Sequence, residues 1–236
     1  MSGIRFSFPA CVIAGKGRID RHDLLILRKY AFTNGIRGYD DALLLLALND
    51  MCPVHCEEWP SYFVEQLTAF IVDNAPPRGR LDAAKSAWLI RALALEGRVE
   101  NPLQLETLLH AIERAETCPD ILSAFALDQL RHRLLAPSNT SYGATARRHA
   151  GITADDMTYI WRLLRCRIDG GRLFISALEA SSLAMIDDVV RHRDNHPGWQ
   201  EVLDHVASEE RHIDGLRSHP WLRSSEPSEA WDERVA

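Results

Sequence analysis

The chain has 236 residues, 46% hydrophobic and 25% charged, with a formal net charge of -6, which is enough to bury one large core or two of roughly 100–130 residues each. That acidic balance lacks the basic footprint of a nucleic-acid binder; Arg147-Arg148-His149 is the nearest thing to a basic patch. Five scattered cysteines, Cys11, Cys52, Cys56, Cys118 and Cys166, suit a reducing cytoplasm better than a disulfide scaffold, and no run approaches the ~20 apolar residues that span a bilayer.

Residues 1–14 read as an N-terminal arm, with Arg5–Ile13 the one place for an extended segment. Its apolar stretch is short, contains Pro9 and lacks a basic leader, which argues against a secretory signal. From Asp20 the pattern turns helical: Leu24, Leu27, Tyr30 and Ala31 recur at three- and four-residue intervals, Asp20 suits the N-cap, and Asn34-Gly35 stops the helix. A second helix runs from about Tyr39 to Met51, apolar through Leu43–Leu48 and so central to a bundle. The third spans about Glu57 to Asn74, the fourth Asp82 to Leu95 before Glu96-Gly97, and the fifth opens at Asn101-Pro102, an N-cap followed by an N1 proline. A sixth runs from about Pro119 to Leu135. Residues 136–149, with Pro137-Ser138-Asn139-Thr140-Ser141, read as a linker. Three more helices follow, opened by Thr153, Ser176 and Pro197, and 217–236 is a polar tail. The sequence therefore predicts an all-α bundle of about nine helices.

The segment Gly17-Arg18-Ile19-Asp20-Arg21-His22-Asp23-Leu24 aligns with Ala150-Gly151-Ile152-Thr153-Ala154-Asp155-Asp156-Met157, in an apolar residue, a cap, an aspartate three residues on and another apolar residue. Trp59 answers Trp199, and Asn49-Asp50 answers Asp187-Asp188. A glycine ends one helix, an apolar residue pins the incoming loop, and a polar residue caps the next helix. An internal duplication follows, with a first unit over 15–135 and a shorter one over 150–216 packed on it.

Asn34-Gly35-Ile36, Glu96-Gly97-Arg98-Val99 and Asp169-Gly170-Gly171-Arg172 with Glu179 resemble degenerate copies of the Asp-Gly-x-Ile/Val…Glu loop of TerB-like proteins, the tellurite-resistance-associated helical family. The stretch Trp59-Pro60-Ser61-Tyr62-Phe63-Val64-Glu65-Gln66-Leu67-Thr68, followed by Trp88-Leu89-Ile90, resembles uncharacterised bacterial proteins with tandem units of this kind. The resemblance implies a helical fold, a divalent-metal site on acidic loops, and a role in stress response or assembly at the membrane surface.

Three sets of residues are candidate metal ligands. Asp169, Glu179, Asp187 and Asp188 offer oxygen ligands for a hard cation, without the spacing of an EF-hand. His205, Glu209 and His212 share a helix at the spacing of di-iron bundles, as do Glu106, His110 and Glu113; both triplets read as solvated flanks. Cys52, His55 and Cys56 form a soft-ligand corner with no second pair to complete a zinc site. No nucleophile elbow, zincin or phosphate-loop motif occurs. The function expected is a non-enzymatic interaction or scaffold module without a cofactor, which binds another protein or its own copy; peripheral membrane association stays open. The alternative is a metal sensor or metal-dependent helical enzyme.

Overall fold

In the computed structural model, the described residues are 8–135, 151–169 and 172–217. The first residues of the expected arm, the linker 136–149, the Gly170-Gly171 step and the tail from Ser218 lie outside them. So do the side chains of Cys166, Asp169, Glu209 and His212. The described part is essentially all-α, with ten α-helices: α1 (Phe8–Lys16), α2 (Arg21–Ile26), α3 (Tyr39–Met51), α4 (Trp59–Thr68), α5 (Ala83–Leu93), α6 (Pro102–Arg114), α7 (Asp120–Leu135), α8 (Ala154–Leu164), α9 (Ala177–Val190) and α10 (Pro197–Arg217). Two-residue strands β1 (Arg18–Ile19) and β2 (Val54–His55) pair in parallel, Ile19 opposite His55, and β3 (Ile168–Asp169) and β4 (Arg172–Leu173) pair antiparallel.

The nine helices expected from periodicity and caps are all present. The tenth, α1, replaces the extended segment expected over Arg5–Ile13. Pro9 falls in its first turn, where a missing N–H costs nothing, and Ala10, Ile13 and Ala14 bury one face. Two helices also end differently from the simple pattern. Both α2 and α4 run directly into wider π-helical turns, Leu27–Ala31 and Ala69–Asn74, which close through Phe32 N–H to Leu27 C=O and Ala75 N–H to Phe70 C=O, each 2.8 Å.

Packing divides the chain after His196 into one compact unit up to that residue and a second from Pro197 onward. Within the first, α4 lies against α6, α7 against α9, and α8 against both α6 and α7. The core is built from Leu44, Leu45, Leu46 and Leu48 of α3, Trp59, Phe63 and Leu67 of α4, Leu108 and Ile112 of α6, Leu122, Leu127 and Leu130 of α7, and Ile160, Leu183 and Ile186 from α8 and α9. Trp59 is fully buried, so its indole N–H needs a partner; it donates to Asn49 Oδ1 at 3.0 Å. Among the described residues no helix is long and apolar enough to cross a membrane.

Candidate functional site

Three helix starts share one construction. Asp20, Thr153 and Ser176 each cap a helix and form a capping box with the acid three residues on, Asp23, Asp156 and Glu179. Such an acid ordinarily sits on the surface. Here each is buried, at 2%, 1% and 1% exposure, and a burial of that depth requires a counter-charge. Lys16 reaches both oxygens of Asp23 at 2.6 and 2.7 Å, Arg133 of α7 binds Asp156, and Arg167 binds Glu179 at 2.7 Å. Asp23, helped by Asp20, holds the Lys16 ammonium above its usual range. The α5 start inverts the charge. Asp82 caps it, but the third residue is Lys85, itself 1% exposed, which donates to the carbonyls of Pro77 (2.6 Å) and Arg80 (2.8 Å). Burial pushes Lys85 below the usual lysine range.

Glu179, a candidate metal ligand, is thus the pin of α9, accepting from Arg167, from Ser123 Oγ at 2.5 Å and from Ser176 N–H at 2.9 Å. It lines a small cleft of about 360 Å³ beside Asp120, Arg167, Ile168 and Phe174. Asp169 lies on β3 of the adjoining turn. Asp188 is paired with Arg191 at 3.3 Å, and the Asp187 carbonyl accepts from the Arg191 N–H. His205 is half-buried on α10, the helix that also carries Glu209 and His212. In the cysteine corner His55 and Cys56 line an open cleft with His22. Cys52 is fully buried apart from it, its thiol directed at the Ile13 carbonyl (3.7 Å) and pushed up by burial. Among the described residues, no three His, Cys, Asp or Glu side chains come together as a metal cage.

The Glu106, His110 and Glu113 face differs from the solvated flank expected. Arg162 of α8 bonds Glu106 at 2.7 and 2.9 Å and Glu113 at 2.8 and 3.0 Å, while His110 Nε2 approaches Glu106 at 3.2 Å. The face is a helix–helix interface, because α8 brings a guanidinium whose planar fork fits two carboxylates at once. Burial opposes the charge on Glu113, but Arg162 overcomes it and holds the carboxyl below its usual range.

A wider concavity lies elsewhere. The π turn Leu27–Ala31, the bend through Gly35 and the exposed side of α4 enclose an open cleft of about 770 Å³. Arg28, Glu57, Glu58, Ser61, Tyr62, Glu65 and Gln66 line it, with Phe32 and Thr33 from the end of the turn. The Arg28 guanidinium lies over the Tyr62 ring, 4.8 Å from its centroid, and makes no ion pair among the described residues. Tyr62 is 7% exposed, yet its hydroxyl has no hydrogen-bond partner there, although buried hydroxyls are nearly always satisfied. Burial pushes the phenol up to about 12 against the effect of Arg28, so it is a neutral donor at physiological pH. Glu58 is paired with Arg21 at 2.6 Å, Glu57 only distantly at 3.9 Å.

No protein-family model, curated protein or solved structure matches this chain. Sequence reasoning missed this cleft because it singled out none of Arg28, Tyr62 and Glu65 as functional residues. The available signal was the polar spacing Glu58, Ser61, Glu65 along α4, beside a tyrosine on the same side.

Proposed function

We propose that the chain is a non-enzymatic, TerB-like helical interaction module, cytoplasmic and built from two copies of a pinned helical unit, which receives a segment of a partner protein in the cleft along α4. The observation that carries this is the contrast between satisfied and unsatisfied polar groups. Asp23, Asp156 and Glu179 have their charges met inside the fold, whereas Tyr62, Arg28 and Glu65 line the open cleft along α4 without such partners among the described residues. Unmet groups on a concave wall are what a ligand completes. The recurrence of the pinned start at Asp20 and Thr153 supports the duplication, and the resemblance of the loops supports a stress- or envelope-linked role.

A photo-crosslinking amino acid at Ser61, exposed in the cleft, tests this in the native host. A discrete protein adduct from Ser61, absent from a control at exposed Arg91 on α5, is expected. Equal labelling from both positions removes the cleft from the interaction. Stoichiometric divalent metal in the purified protein, with a chelator-sensitive melting temperature, replaces the module with the metal-sensor alternative.

A further inference from the structure

We infer that the cleft along α4 binds an extended basic segment of a protein, with two Lys or Arg residues about three positions apart; this rests on the interaction reading above and specifies its ligand. The wall alternates in hydrogen-bonding character. At one end stand the Glu57 and Glu58 carboxylates, at the other Glu65, and Tyr62 and Arg28 lie between them. Three carboxylates stand against two guanidinia, Arg28 in the wall and Arg21 beside Glu58, and the remaining negative charge makes the cleft attractive to cations. Arg21 occupies one oxygen of Glu58, while the other is buried and unpartnered among the described residues.

The spacing sets the length. Seven residues of α-helix separate Glu58 from Glu65, about 10 Å along the axis at ~1.5 Å per residue. A segment in the polyproline II conformation, rising ~3.1 Å per residue, covers that distance in about three residues and, with three residues per turn, returns positions i and i+3 to the same face. The middle of the cleft offers donors, the buried Tyr62 hydroxyl and the Arg28 guanidinium, which suit the backbone carbonyls of such a segment. The ends offer acceptors, which suit its cationic side chains. A free polyamine would satisfy the ends and leave the central donors without acceptors. An acidic segment would be repelled from both ends.

The test uses the full-length protein and fluorescence anisotropy with a labelled octapeptide, Gly-Arg-Ser-Ala-Arg-Ser-Ala-Gly, and its counterpart with Glu at both Arg positions. The basic peptide is expected to bind, more weakly as salt rises, and the acidic one not to bind. Glu57→Lys with Glu65→Lys, both on exposed positions, should weaken binding by about tenfold or more. Tyr62→Phe should weaken it several-fold without lowering the melting temperature, because the hydroxyl it removes has no internal partner. Failure of the basic peptide to bind, equal binding of both peptides, or indifference to the two variant proteins overturns the proposal. Binding of spermidine as tight as that of the peptide does so too, since it shows a site for cations alone. If the Ser61 adduct forms while the basic peptide fails, the interaction module stands and the basic ligand is wrong.

Discussion

Glu179→Ala tests whether a carboxylate beside an Asp-Gly-Gly turn serves the fold. The substitution removes three hydrogen bonds together, from Ser123 Oγ, Arg167 Nε and the Ser176 N–H. Breaking a buried ion pair from one side costs about 3–5 kcal/mol, because the surviving charge stays buried. Arg167 keeps Asp120 at 2.8 Å, a half-exposed partner, so the loss is discounted to about 2–3 kcal/mol. Loss of the reciprocal cap at α9 adds about 1 kcal/mol. The expected total of about 3–4 kcal/mol is a large share of the ~5–15 kcal/mol that holds a typical domain. Glu179→Gln keeps the shape and an acceptor and should cost roughly half as much. Urea unfolding followed by far-ultraviolet circular dichroism reads the difference as a shift in midpoint at constant slope. A loss below about 1 kcal/mol for the alanine variant would refute the pinning argument. So would a wild-type midpoint that falls with chelator until it meets that of the variant, since Glu179 would then be stabilising a metal.

Arg162→Met leaves the mostly buried Glu113 with only the exposed Arg165, at 3.2 Å, as its counter-charge, and should cost about 1–2 kcal/mol at pH 7, measured by thermal melting. The lowered folded pKa of Glu113 gives stability that is present above its unfolded value and lost as pH falls through the folded one, so this acid-side slope should flatten in the variant. His132 is held below its usual range by burial, with Nδ1 unpartnered among the described residues. The unfolded chain therefore takes up the proton first, and stability should fall as pH drops through about 6.5; His132→Gln should reduce that slope in pH-dependent melts. At Gly151 a Cβ would collide with the Asp194 carbonyl and the Asn195 side chain, so Gly151→Ala should cost about 2 kcal/mol or more. Gly17→Ala, at φ +63° in open space, should cost only about 1 kcal/mol, and a comparison of urea midpoints checks the order.

The helices that sequence reasoning located were those with strong ends. Asn101-Pro102, Thr153 and Ser176 announce helix starts chemically, and their caps are present in the structure. The capping acids were also legible, but not their burial, because the cations that permit it are supplied by other segments. Arg133 precedes Asp156 by 23 positions and Arg167 precedes Glu179 by 12, separations with no periodic signature. α1 was missed since only Ala10, Ile13 and Ala14 face inward and Pro9 dominates its pattern. The cleft was missed because its shape depends on the π turn Leu27–Ala31, and backbone hydrogen bonding five residues apart leaves no mark on residue type.

The π turn at Leu27–Ala31 makes the width of the cleft a matter of residue count. A π turn holds one residue more than the α turn it replaces. Exchanging exposed side chains such as Lys29 or Tyr30 leaves that count unchanged. A one-residue deletion within the turn, by contrast, lets the segment close to α, and because the lost residue is the one the wider turn absorbed, the chain after it keeps its orientation while the turn itself narrows. The bulged backbone that carries Arg28 beside the cleft would flatten while the helix itself survived. Insertions and deletions at this point should therefore retune the cleft between related chains more sharply than any substitution along it.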